Sequence, residues 1–131
     1  MKLLLDTHIW IWAATSPGKL GRSVQRELQR SGNEVYLSPV SIWEARQLER
    51  RKRLRATPDF SRWLDRALSH APFREAPFTF AIATTASQIQ LPEPDPGDVF
   101  LAAIALTLDL TLVTADAQLL ECSWIETLSN D

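Results

Sequence analysis

The sequence predicts an α/β domain built on a mainly parallel β-sheet. Two observations carry this. Strand-like segments alternate with helical ones along the 131 residues, which is the order that crossover connections produce. The strand-like segments also run as short apolar patches, such as Leu3-Leu4-Leu5 and Leu112-Val113, rather than alternating with polar residues. Strands of that kind are covered on both faces.

The elements follow in order. Leu3–Leu5 reads as a buried strand that ends at Asp6. Thr7–Ala14 reads as a helix whose Ile9, Trp10 and Trp12 supply apolar surface, and Ser16-Pro17-Gly18 breaks it. Leu20, Val24 and Leu28 recur every four positions and mark an amphipathic helix that stops at Gly32. Glu34–Ser38 is the second strand, and Pro39 suits the first turn of the helix carrying Val40, Trp43, Ala45 and Leu48. A further helix starts near Pro58-Asp59 with Phe60, Trp63, Leu64 and Leu68 on its apolar side. An extended piece at Phe73–Ala76 precedes a helix over Phe78–Ile89. Leu91–Gly97, with its three prolines, reads as a stiff loop. Asp98 then opens an apolar helix, Val99–Leu108; Thr111–Thr114 is a strand, Asp116–Leu120 a short helix, and Trp124–Thr127 a final edge strand. Trp10, Trp12, Trp43 and Trp63 fall on apolar helical faces and are expected in a core or a dimer interface.

A chain of this length buries a real core and is expected to form one domain, residues 1–131. Hydrophobic residues at 45% against 23% charged are the balance of a folded rather than a disordered chain. No apolar run approaches the roughly 18 residues of a membrane span. Asp6 and His8 interrupt the opening apolar stretch, which therefore does not read as a signal peptide. The expected location is the cytoplasm. Cys122 is the single cysteine, so an internal disulfide and a cysteine-held zinc are both excluded. His8 and His70 lack ligand spacing. Any metal must then be held by carboxylates, which suits Mg2+ or Mn2+.

Open parallel sheets place their sites beyond the carboxyl ends of the strands. Four acids stand there: Asp6 closes the first strand, Glu44 lies about one turn into the helix after the second, Asp98 opens the apolar helix, and Asp116 follows Thr111–Thr114. Taken singly, Asp98 and Asp116 also read as helix N-caps, and Glu44 as a surface ion-pair partner of Arg46 or Arg51. Asp6 resists such a reading, because a buried unpaired acid is costly. Together the acids would repel one another unless protonated or bridged by a cation. A divalent cation among them lowers the pKa of a bound water and neutralises charge at a phosphodiester, so an acid-rich, nucleophile-poor site suits phosphodiester hydrolysis. Glycine-rich phosphate loops, a G-x-S-x-G elbow and a Cys–His pair are all missing from the sequence.

The net charge is −2, yet Arg46, Arg50, Arg51, Lys52, Arg53 and Arg55 fall within ten residues with only Glu49 against them. Such a block reads either as a local phosphate-binding surface or as a solvated helix end, where cations favour the dipole.

Four blocks resemble those of PIN-domain toxins of the VapC type. They are Leu3-Leu4-Leu5-Asp6-Thr7-His8 with Trp10 and Trp12; Tyr36-Leu37-Ser38-Pro39-Val40-Ser41-Ile42-Trp43-Glu44; Asp95-Pro96-Gly97-Asp98 with Leu101–Ala105; and Leu112-Val113-Thr114-Ala115-Asp116. They run in the family's order from residue 3 to about residue 120. The resemblance implies a three-layer PIN-domain fold, a central mainly parallel sheet flanked by α-helices. It implies a Mg2+- or Mn2+-dependent endoribonuclease that is the toxin of a toxin–antitoxin pair, forms a homodimer and is inhibited by a small antitoxin protein. Asp6, Glu44, Asp98 and Asp116 would form its metal and catalytic site, supported by Thr7, Thr114 and Asp95. Two positions depart from the pattern: Val99 stands where an arginine is usual, and Gly97 where a larger aromatic is usual. Neither removes an acid, but both bear on loop geometry and substrate orientation. Other readings of the same residues are a non-catalytic RNA- or protein-binding module and a DNA-directed nuclease.

Overall fold

The computed structural model describes residues 1–93 and 95–131. Five strands form a sheet in the order β3-β2-β1-β4-β5, with β1 (Lys2–Leu5) at its centre and every pairing parallel. β2 (Glu34–Leu37) and β4 (Thr111–Thr114) flank β1; β3 (Arg74–Glu75) and β5 (Thr127–Ser129) are the edges. The helices are α1 (Thr7–Thr15), α2 (Arg22–Gln29), α3 (Pro39–Arg50), α4 (Phe60–Ser69), α5 (Phe80–Ala86), α6 (Pro96–Leu108) and α7 (Ala117–Leu120).

The three-layer arrangement follows from the apolar strands. Side chains alternate between the two faces of a strand, so Leu3 and Leu5 point to one side and Leu4 to the other, and all three are fully buried. Leu3, Leu5 and Val113 pack with Ile9, Trp10, Val24, Ala45 and Trp63, from α1, α2, α3 and α4. Leu4 and Leu112 pack with Ile82, Leu101, Ile104 and Leu119, from α5, α6 and α7. Burying each of these large side chains contributes about 1.5–3 kcal/mol before the entropy of ordering is set against it. Trp10 is the main anchor on the first face. Its indole meets Trp63 edge-on at 5.5 Å, and its Nε1–H donates to the Ala67 carbonyl at 3.1 Å, tying α1 to α4.

The structure departs from the sequence-based expectations at four places, the first being that the helix expected over Phe78–Ile89 is only Phe80–Ala86, capped by Thr79. The apolar helix begins at Pro96 rather than after Asp98, because Asp95 Oδ1 accepts from the Gly97 N–H at 2.9 Å and so caps it, with proline at the first helical position. Pro96 and Gly97 therefore belong to α6 and not to the loop; Pro94, also within the expected loop, lies outside the described residues. The final strand is Thr127–Ser129, paired with Leu112–Thr114, and Trp124 lies outside it, 41% exposed. Of the two places expected for Trp43, the core is ruled out: it is 65% exposed. Among the described residues no helix is long and apolar enough to cross a membrane.

Candidate active site

Parallel pairing puts the carboxyl ends of β1, β2 and β4 at one edge of the sheet, and the site is assembled there. Asp6 leaves β1 directly, its N–H still held by the Val113 carbonyl of β4 at 3.0 Å. Glu44 projects from α3, which starts where Ser38 accepts from the Val40 N–H and caps the helix. Asp116 follows β4, and α6 brings Asp95 and Asp98 across the gap. All five acids line one cleft of about 720 Å³, together with Thr7, His8, Trp43, Arg51 and Arg53.

Short hydrogen bonds fix two of these acids. Asp6 is almost buried at 8% exposure, and its Oδ2 accepts from the fully buried Thr114 hydroxyl at 2.6 Å. The same Thr114 oxygen accepts from the Asp116 N–H at 3.0 Å, so one threonine joins the two acids. Thr7 donates to Glu44 Oε1 at 2.5 Å. A hydroxyl carries one hydrogen, so Ser41, with its Oγ 2.9 Å from Thr7 Oγ1, completes the chain by donating to Thr7. Ser41 was not singled out from the sequence. Its signal was there: it precedes Glu44 by three residues, which puts both on one side of α3.

Glu44 is not the surface ion-pair partner that its neighbours in sequence allowed. Arg46 pairs with Glu49 instead, and its guanidinium lies 5.2 Å from the Phe60 ring centre. Of the two acids that also read as caps, Asp116 is one, accepting from the Leu119 N–H at 3.1 Å. Asp98 is not, because Asp95 takes that role, and its carboxyl stands in the first turn of α6 facing the cleft.

The charges are crowded. Burial raises the pKa of Asp6 above the usual carboxylate range, and does so for Glu44, where Asp6 and Asp95 add to the effect. Asp98 is pushed up to about 7, first by burial and then by repulsion from Asp6, Asp95, Asp116 and Glu44. Four separate acids thus act on one carboxyl. Among the described residues no three acids or histidines stand in a closed ligating cluster; the acids ring the cleft instead. The donor chemistry nonetheless fits a hard divalent cation, since it is oxygen-only and carries excess negative charge that a cation relieves.

Gly97 has a physical account. It is buried, and a Cβ placed on it would overlap the Glu44 carboxylate, which occupies that space. Gly97→Ala must therefore shift the Glu44 carboxylate, whose other oxygen is bonded to Thr7. We expect it to weaken divalent-cation binding by about tenfold or more, on the scale seen when ligand-orienting contacts are lost, and titration calorimetry with Mn2+ checks this. Unchanged affinity would mean that Glu44 is not needed to hold the ion. Nothing in the structure explains why valine stands at position 99.

The basic block divides. Lys52 takes a left-handed conformation with φ 61°, which closes α3, and the chain then returns so that both Arg51 and Arg53 line the cleft. Arg46, Arg50, Lys52 and Arg55 do not line it.

Comparison with known proteins places this arrangement. No curated protein sequence matches the chain. Among solved structures, VapBC2 from Rickettsia felis bound to a promoter DNA fragment superposes with a TM-score of 0.75 at 18% identity over all of both chains. DNA-bound VapBC from Salmonella typhimurium gives 0.73 at 16% identity, covering 100% of this chain and 99% of that one. VapBC-5 from Mycobacterium tuberculosis, a member of the VapBC family of toxin-antitoxin systems, gives 0.63 at 18% identity over 98% of each. At these identities the likeness is one of fold. The sequence pattern of the PIN domain, however, matches residues 3–124, and the chain belongs to the PIN-domain family.

Proposed function

We propose that the chain is a metal-dependent endoribonuclease and the toxin of a toxin–antitoxin pair. The observation that carries the reading is the ring of five acids at the carboxyl edge of a parallel sheet, four of which raise the pKa of the fifth. Asp6, Glu44, Asp98 and Asp116 would hold Mg2+ or Mn2+, with Asp95 shaping the start of α6 beside them. A bound divalent cation would supply a water of lowered pKa and would neutralise charge on the scissile phosphate.

The chain's own residues do the rest. Thr114 holds Asp6 in one orientation, and Thr7, backed by Ser41, does so for Glu44. Asp98 must lose its proton to serve as a ligand, and a nearby cation favours that loss. Arg51 and Arg53, at the same cleft, offset the repulsion that a ring of acids would exert on an incoming phosphate backbone. Arg46, Arg50, Lys52 and Arg55 would add only longer-range attraction, which salt screens.

The toxin reading is supported by structural neighbours from toxin–antitoxin systems that superpose over nearly whole chains. An antitoxin protein as inhibitor, a homodimer and a cytoplasmic location belong to the same proposal. The exposed apolar side chains of Phe80, Phe78 and Leu106 suit an interface between copies, which light scattering tests directly.

The function itself is tested by incubating the purified protein with structured RNAs and a matched single-stranded DNA, in Mn2+ or Mg2+ and again in EDTA. RNA is expected to be cut in either metal and to survive in EDTA. Cleavage that persists in EDTA, or no cleavage together with no metal binding by calorimetry, would overturn the reading.

A further inference from the structure

Trp43 is the anomaly of the cleft. A tryptophan left 65% exposed forgoes most of its burial energy, and this one adjoins Glu44 on the same helix. Trp12, also lining the cleft, is already engaged: His8 packs on it at 5.8 Å, and Lys19 Nζ lies 5.9 Å from its ring centre. Trp43 has no aromatic or cationic partner among the described residues.

Its neighbours along α3 form a sequence of their own. Trp43, Gln47 and Arg51 are spaced by four and by four again, which stacks them along one side of the helix, and all three line the cleft. They span about 12 Å at 1.5 Å per residue. Arg51 forms no ion pair among the described residues, where the ion pairs are those of Arg30, Arg46, Arg62 and Arg74. The stripe thus offers a flat aromatic face, an amide and a guanidinium, starting beside the acids and leading away from them.

We propose that this side of α3 is a reading track for one unpaired RNA strand, with Trp43 stacking on a base next to the phosphate that reaches the acids. The proposal rests on the nuclease reading and extends it to a residue that selects unpaired substrate. In a duplex each base is stacked against its neighbours and its face cannot reach a side chain; in a loop or single strand it can. Gln47 can hydrogen-bond a base edge, and Arg51 can contact the backbone. The cleft around Trp43 carries apolar side chains as well, Trp12, Leu48 and Phe100. The stripe nevertheless runs from the acids to an Arg51 without an ion pair among the described residues, which a phosphate backbone answers and an apolar protein anchor does not.

The test separates binding from cleavage. Affinity for a short fluorescent RNA, alone and annealed to its complement, is measured by anisotropy in Mg2+ in an Asp6→Asn background. There, Trp43→Ala is expected to weaken binding of the unpaired RNA by about ten- to hundredfold, the worth of one base–aromatic stack. Duplex affinity should move by less than about twofold, and Trp43→Phe should retain most of the affinity for the unpaired strand, because its ring still stacks. Equal losses on both RNAs would overturn the proposal. So would no loss on either, which would assign Trp43 to a protein contact. Cleavage at low RNA concentration in the Asp6 protein distinguishes the two readings. Cutting that Trp43→Ala leaves unchanged removes the track and keeps the nuclease. Binding that depends on Trp43 without any cutting removes the nuclease and keeps the track.

Discussion

Asp6→Asn is expected to lower RNA cleavage by on the order of a hundredfold or more while raising the thermal stability of the metal-free protein. The opposite signs come from one cause. Asp6 sits almost wholly inside the protein at the end of the central strand, where burial disfavours its charged form and Asp116 repels it. Its compensation is the hydrogen bond from Thr114. Asparagine keeps the size and leaves a carbonyl oxygen for the Thr114 hydroxyl, while removing the charge. The metal-free fold should gain about 1 kcal/mol, or about 4 °C in the unfolding midpoint for a chain of this size. A cation held by these acids would lose a charged ligand at the same time, and with it most of its hold on a scissile phosphate. Circular dichroism melts in EDTA and a cleavage assay in Mn2+ read the two effects separately. A variant that melts lower than the parent would mean that Asp6 is a structural acid whose bond to Thr114 outweighs its charge. A variant that cleaves normally would remove Asp6 from the chemistry.

How much of this was legible in the sequence depends on whether the signal was local. Leu3-Leu4-Leu5 and Leu112-Val113 announced strands buried on both faces, and the structure pairs them in parallel at the sheet centre. Once those strands were parallel, Asp6 and Asp116 had to come to one edge, because the chain direction alone decides it; Glu44, on α3, also needs the right side of that helix to face them. The start of α6 was misplaced because Asp95-Pro96-Gly97-Asp98 offers two acids that can cap a helix and a Pro-Gly pair that reads as a break; hydrogen-bond geometry chose Asp95. The exposure of Trp43 was not legible either. It stands two residues before the buried Ala45, and only the tertiary placement of α3 decides which of its sides faces a cleft. The same holds for the basic block, where the left-handed turn at Lys52 turns Arg53 back beside Arg51. Gly97 looked like a mere departure from a family pattern. Its reason lies in Glu44, more than fifty positions away in the chain, and no local rule reaches that far.

The crowding of the acids gives the stability of the protein a pH dependence of unusual sign. Most carboxyls in proteins are held below their free values, so folded chains lose stability on acidification. Asp98 is held above its free value of 3.8, at about 7, by burial and by four acids around it. Between about pH 4 and pH 7 the folded chain keeps a proton on Asp98 that the unfolded chain has shed. By linkage its contribution to stability is fully present below the free value and is lost as pH rises to about 7. The raised values of Asp6 and Glu44 act in the same direction. Asp98 is only partly buried, and the solvent that reaches it screens part of the effect, so the loss should amount to roughly 1–2 kcal/mol rather than the full value of the shift. In EDTA the unfolding midpoint should therefore fall as pH rises from 5 to 8, and Asp98→Asn should flatten that fall. With saturating Mn2+ the trend should reverse, because a cation replaces the protons and binds more tightly as they leave. The gain in midpoint on adding metal should be larger at pH 8 than at pH 6, and cleavage should rise across the same interval. A metal-free midpoint that is flat or climbs between pH 5 and 8 would mean that the acids are too far apart to share their charge, and with that the argument for a common cation would fail.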